Sequence, residues 1–221
     1  MSSNTRSMLD QELTQLHDDL IRLGGLVDEA IAHAVQALKE RNTELAQQVV
    51  VGDQAINNLR YHIEETAIIT IATQQPMAGD LRKLIAGTHI AVELERMGDH
   101  AEGIAALVLR MSDQPLLKPL VDIPRMAEID REMIRESLEA FTRCDADAAR
   151  QLAQRDNEVD SLYDQVFREL LTYMVQDPKV IERATFLLWV AHNLERIGDR
   201  ATNISERIIF MTTGKIQELN S

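Results

Sequence analysis

The feature that most constrains this chain is a phrase it uses twice. Leu94 to Asp99 reads LERMGD, and Leu194 to Asp199 reads LERIGD, one hundred residues later. With their flanks, AVELERMGDHAEGI (Ala91 to Ile104) and AHNLERIGDRATNI (Ala191 to Ile204) agree at eight of fourteen positions. Self-similarity of this kind implies two copies of one structural unit. Each copy must bury an apolar face within roughly a hundred residues.

Apolar spacing says what the unit is made of. Leu9, Leu13, Leu16, Leu20, Leu23, Val27, Ile31, Ala34 and Leu38 recur every three or four residues, which draws one stripe along a long helix. Gly24 and Gly25 are its weak point. A break near Arg41 and Asn42 leads to a second helix with Ile56, Leu59, Ile63, Ala67 and Thr70 on its seam. Gln74 to Asp80 reads as a turn, because Pro76 disfavours helix at the residue before it and Asp80 can cap the next helix. That third helix carries Ile90, Leu94, Met97, Ala101, Ile104 and Val108 inward.

Pro115, Pro119 and Pro124 make the one proline-dense stretch, SDQPLLKPLVDIP, and the pattern restarts after it. The spacing predicts a helix from about Pro124 to Arg143, another from about Asp145 to Gln176, and a last one opened by Asp177 and Pro178 and closed before Gly214. No strand signal competes. The predicted fold is all-α: two tandem antiparallel three-helix bundles, six long helices in all. The expected division is residues 1–114, a linker at 115–123, and residues 124–221.

Composition agrees and excludes some functions. Apolar residues make up 45% and aromatics only 4%, which suits helices packed through Leu, Ile and Ala. The net charge of −13, from 36 acids against 23 bases, would repel nucleic acid and anionic lipid surfaces. Cys144 is the only cysteine, so an intrachain disulfide is excluded and a reducing compartment fits. The first residues lack the apolar core of a secretion signal, and no run is long enough to span a bilayer. The expected location is the cytoplasm, without membrane insertion.

The repeated phrase also places charge. Glu95 and Asp99 are four apart, as are Glu195 and Asp199, so each pair shares one helical face. Both lie more than about 100° round the helix from the apolar seam. Like charges at this spacing repel, and either Arg96 and Arg196 or a bound cation would offset that. The second helix of each half repeats the device as Asp53 with Asn57 and as Asp156 with Asp160. If second and third helices are neighbours, oxygen-bearing side chains converge in each half. A solvated polar face is the plain alternative. Gly98 and Gly198, costly in mid-helix, would leave room for ligands or for a close neighbouring helix.

Other chemistry is not written here. A ferritin-type site needs Glu-x-x-His, but Gly98 and Gly198 stand at the histidine position. The six histidines form no His-Glu-x-x-His motif, although His192 lies one turn before Glu195. No phosphate-binding glycine loop occurs, and Cys144 lacks a paired histidine to make it a nucleophile.

QPMAGDLRKLIAGTHIAVELERMGDHAEGIA (Gln75 to Ala105) and NLERIGDRATNI (Asn193 to Ile204) resemble the two signatures of the PhoU family, accessory regulators of bacterial phosphate-specific transport. The resemblance covers nearly the whole chain. It implies two similar three-helix bundles and no enzyme. It also implies multinuclear metal sites on acid-x-x-x-Asp motifs, with Fe, Mn, Mg or Zn as the ion. Asp53, Glu95 and Asp99 would form the first site, and Asp156, Asp160, Glu195 and Asp199 the second. Asn57 departs from the acidic pattern, though its amide still offers one oxygen. The family implies a cytoplasmic negative regulator that keeps the starvation response off when phosphate is plentiful. Such a protein works with the ATPase subunit of the phosphate ABC transporter and a sensor histidine kinase, and tends to dimerise. A carboxylate-rich metal store or metalloenzyme is the alternative, and a plain helical scaffold a third.

Overall fold

The computed structural model describes the backbone from Ser2 to Leu219 and the side chains from Met8 to Leu219. In chain order the helices are α1 (Ser2–Glu40), α2 (Thr43–Gln74), α3 (Gly79–Met111), α4 (Asp122–Arg143), α5 (Ala146–Ala153), α6 (Asp156–Gln176) and α7 (Ile181–Thr213), with a 3₁₀ turn, Pro178–Val180, before α7. The described residues contain no strand. The sequence predicts six helices, and five of them are found whole.

The ends of the helices follow from local chemistry. Asn42 caps α2 by accepting from the Leu45 N–H at 3.0 Å. Asp145 caps α5 with bonds from the Asp147 and Ala148 N–H groups at 3.0 and 2.9 Å. Asp177 accepts from the Lys179 N–H, and Pro178 occupies the first-turn position where a missing N–H costs nothing. Gly214 ends α7 in the left-handed region at φ 72°.

Three local expectations are corrected. Asp80 does not cap α3: Ala78 does, at φ 46°, with no side-chain bond, and Asp80 sits inside the first turn where its charge suits the helix dipole. The fourth helix begins at Asp122, two residues before Pro124, whose absent N–H falls among the unpaired donors of the first turn. The fifth predicted helix is two. At Gln154 and Arg155 the backbone bonds tighten to three-residue spacing, and the Arg155 guanidinium reaches α4 to bond Glu132 and Glu136, each at 2.6 Å. Neither glycine nor proline marks this break.

The halves stand side by side. Helices α1, α2 and α3 pack on one another, α4, α5 and α6 surround α7, and α3 lies against α7 while α1 lies against α4. One apolar core runs through both bundles. Because α3 and α7 are covered on several sides, their buried positions include many small residues, such as Ala86, Ala91, Ala101 and Ala105 on α3.

Polar contacts between α3 and α7 reveal their relation. Glu93 accepts from Arg200 and Asn203 at 3.5 and 3.1 Å. One hundred residues on, Asn193 lies 3.0 Å from His100, and its amide stands where a Cβ on Gly103 would approach to 3.3 Å. Position 93 of one half therefore meets positions 100 and 103 of the other, and the reverse holds. A contact that repeats with its partners exchanged is self-complementary, so the helices run antiparallel about an internal two-fold. Across α1 and α4, Arg131 grips Asp28 through two bonds of 3.0 and 3.1 Å.

The glycine pair of α1 does not break the helix. A Cβ at Gly24 would come within 2.2 Å of Leu138 Cδ1 on α4, whereas a Cβ at Gly25 meets nothing within 4 Å. Gly25→Ala should therefore raise stability by roughly 0.5–1 kcal/mol through helix propensity alone. Gly24→Ala should gain less or lose. Thermal unfolding of the two variants checks this, and equal gains would mean that α1 stands off from α4.

Candidate metal centre

In the first bundle, α2 and α3 bring Asp53, Asn57, Glu95 and Asp99 together. Asn57 Nδ2 donates to Asp53 Oδ2 at 2.6 Å, which leaves Asp53 Oδ1 buried without a partner. Arg60 Nη2, on α2, lies 3.5 Å from Glu95 Oε1. The neutralising guanidinium nearest Glu95 is thus Arg60 and not Arg96, which is exposed. A Cβ at Gly98 would meet Ile56 at 3.0 Å and Asp53 Oδ1 at 3.5 Å, so the repeated glycine lets α2 approach.

The arginines relieve the charge repulsion only in part. Burial first, then the Asp99 charge, pushes the Asp53 and Glu95 carboxyls above their ordinary range. Glu102, one turn further along α3, is raised by burial and by Asp53 and Asp99, and so belongs to the same group. The spacing from Asp99 could have suggested it.

In the second bundle, Asp156 and Asp160 on α6 face Glu195 and Asp199 on α7. Arg196 donates to both carboxylate oxygens of Glu195, and its Nη1 lies 3.0 Å from Asp199 Oδ2, so here the neighbouring arginine does the neutralising. His192 Nδ1 stands 3.5 Å from Glu195 Oε2. Thr202 Oγ1 donates to Asp156 Oδ2 at 3.3 Å. Burial and neighbouring acids still raise the carboxyls of Asp160 and Asp199. Asp156, Asp160 and Asp199 line an open cleft of about 700 Å³ whose rim includes Gln217 and Leu219 from the segment after α7.

Asp130 is the member that the sequence reading missed. It lies on α4, wholly buried, and neither carboxylate oxygen has a hydrogen-bond partner. Burial, then Asp156, then Glu195 raise its carboxyl well above the ordinary value. A Cβ at Gly198 would come within 2.6 Å of Asp156 Oδ1 and 3.4 Å of Asp130 Oδ1, so both carboxylates close over the one position where α7 has no side chain. A signal was available: Asp130 interrupts the stripe Ile123, Met126, Met133, Ile134 at a core position.

The donors in both clusters are oxygens, which suit hard cations. Buried oxygens without partners, and carboxyls raised first by burial and then by neighbouring acids, make each cluster a costly place for bare carboxylates, and that fits a cation. As they stand, no three His, Cys, Asp or Glu side chains among the described residues are gathered closely enough to hold one. Arg196 holds the carboxylate oxygens of Glu195 and Asp199 instead.

Known proteins share both the duplication and the fold. The PhoU domain matches twice, over residues 20–108 and 123–208. This chain belongs to the PhoU family. It is 42% identical to the phosphate-specific transport system accessory protein PhoU homolog of Caulobacter vibrioides, with 100% of this chain and 96% of the relative covered. The homolog from Aquifex aeolicus is 42% identical, with 94% of each chain covered. The crystal structure of PhoU from Pseudomonas aeruginosa superposes with a TM-score of 0.88 at 37% identity, covering 93% of this chain and 99% of that one. PhoU of Streptococcus pneumoniae gives 0.89 at 32%, covering 96% and 100%. PhoU membership agrees with the all-α, duplicated fold. No helix among the described residues is long and apolar enough to cross a membrane.

Asp130 yields a sign-specific prediction for the metal-free protein. Its folded-state pKa lies above the unfolded value of 3.8, so the folded chain keeps a proton that the unfolded chain has released. Wild-type stability therefore falls as pH rises from about 4 through the folded pKa. Asp130→Asn should be at least about 1 kcal/mol more stable where that carboxylate would ionise, with the advantage vanishing below about pH 4. Denaturant unfolding against pH measures both.

Proposed function

We propose that this chain is a cytoplasmic negative regulator of phosphate uptake and of the phosphate-starvation response. It acts as an adaptor between the ATPase subunit of a phosphate ABC transporter and a sensor histidine kinase. The observation that carries this reading is PhoU membership across both halves, with relatives matched over nearly their full length and named as accessory proteins of phosphate-specific transport. An adaptor needs docking surface, and a non-catalytic role is consistent with that.

The surface supplies further support. Large apolar side chains are exposed at matching places in the two halves: Ile68 and Leu81 flank the α2–α3 turn, and Leu171 and Ile181 flank the α6–α7 turn. Phe167, Val175 and Trp189 extend the second set. Singly such residues mean little, but a repeated apolar exposure at the same turn of each bundle suits a partner protein. An acidic remainder would select against wrong partners and favour basic patches. Two chains pairing as a homodimer is part of the same proposal.

A second reading, as a carboxylate-rich protein that holds Fe, Mn, Mg or Zn, is favoured by the unpartnered oxygens of Asp53 and Asp130. The all-oxygen donor set argues for Mn, Mg or Fe ahead of Zn, which prefers nitrogen and sulfur. Asp53, Glu95 and Asp99, with Asn57, would hold one ion group, and Asp156, Asp160, Glu195 and Asp199 the other. A bound cation would supply the missing positive charge. The protein's own part is to present the oxygens and keep them fixed on adjacent helices. The two readings are compatible, since a regulator can need an ion for its shape.

Leu171→Asp with Ile181→Asp should release starvation-gene expression in phosphate-rich medium and abolish co-purification of the ATPase and kinase, with the helical circular dichroism unchanged. Normal repression with both partners retained would refute the docking face. Replacing Glu95, Asp99, Glu195 and Asp199 by Gln and Asn should lower bound metal in elemental analysis of the purified protein. Wild-type metal content would remove the second reading.

A further inference from the structure

We infer that the two carboxylate clusters are not equivalent: the second bundle has an inner position for a hard cation, formed by Asp130 with Asp156 and Glu195, that the first bundle lacks. The inference rests on the cation reading above and deepens it.

The two halves differ at matched positions. Asn42 and Asp145 cap equivalent helices, and Asp53 and Asp156 occupy equivalent places on them, both 103 residues apart. The same offset pairs Asp130 with Val27. Val27 is wholly buried, so the fold accepts an apolar side chain at this place and has no structural need of a carboxylate. The exchange runs the other way at the rim, where Glu102 of α3 corresponds to Thr202 of α7. Thr202 is buried and bonds Asp156, whereas Glu102 is only partly covered. One carboxylate has moved from the rim of the first cluster to the floor of the second.

What the floor carboxylate meets decides its role. Both oxygens of Asp130 are out of water and unpartnered, although most buried polar atoms find a partner. Its charged neighbours are the acids Asp156 and Glu195. A buried carboxylate surrounded by carboxylates costs stability and gives nothing back to packing. An ion would draw together three carboxylates from three different helices, α4, α6 and α7, which as they stand are not gathered closely enough to hold one. The open cleft beside Asp156, Asp160 and Asp199 gives the route from solvent. Loading requires Glu195 to exchange Arg196 for the ion, and the exposed end of that arginine can swing into water.

The test uses the purified full chain and Mn²⁺ alone as the probe, read by isothermal titration, electron paramagnetic resonance of bound Mn²⁺ and thermal unfolding. Wild type should show one tight class of Mn²⁺. Asp130→Val, which copies the first bundle, and Asp130→Asn should each weaken that class by about tenfold or more. Both should also unfold at higher temperature than wild type without metal, and gain less from Mn²⁺. Glu102→Gln should leave the tight class unchanged. Unaltered Mn²⁺ affinity in both Asp130 variants, with loss in Glu195→Gln plus Asp199→Asn, would overturn the inner position and leave the surface cluster standing. Absence of Mn²⁺ binding by wild type would overturn the inner position and the cation reading together.

Discussion

The antiparallel seating of α3 on α7 is the contact on which the rest depends. Each of these helices carries the repeated phrase, and each is the one its own bundle packs around. Because Glu93 meets Arg200 and Asn203 while Asn193 meets His100 and fills the space a side chain at 103 would take, the polar register across the pair is fixed in duplicate. Positions 93, 100 and 103 face the partner helix. Residues 95 and 99 then lie roughly 130° and 90° round from the middle of that arc, towards the outer helices. The same register that joins the halves therefore sends Glu95, Asp99, Glu195 and Asp199 to meet α2 and α6.

Charge in each cluster is balanced differently, although the motif is the same. In the first, the guanidinium comes from α2, and Asn57 satisfies one oxygen of Asp53. In the second, Arg196 grips both Glu195 and Asp199 from within α7, and the interior receives Asp130. A duplicated motif thus does not mean duplicated electrostatics. Substitutions outside the repeated phrase, at positions 27 and 130 and at 102 and 202, set the two apart.

Much of this was legible in the chain. The apolar stripes gave the long helices because each runs for many turns on one face, and Asn42, Asp145, Asp177 and Gly214 are caps whose chemistry is local. The acid pairs could be placed on a shared face for the same reason. The break at Gln154 was hidden, since it is marked by the reach of Arg155 to α4 and not by a helix-breaking residue. Asp130 was visible as an interruption of a stripe, but its meaning needed α6 and α7 in place beside α4. The pairings of Arg60 with Glu95 and of Glu93 with Arg200 join residues 35 and 107 apart, and no periodicity carries that information.

The stability of the fold and the composition of the clusters pull in opposite directions. A domain holds only a modest excess of folding free energy, and each unpartnered buried carboxylate removes a part of it. The core is otherwise conservative, with Leu94 and Leu194 wholly buried and small residues where helices approach. Against that background, keeping Asp130 in place of a valine already accommodated in the first half is a cost with no packing return. Groups that local structure does not require, and that the fold tolerates at a loss, are where a ligand has most to offset. By that criterion the second bundle, with five carboxylates on α4, α6 and α7, is the half in which a bound cation would change the energy of the structure most.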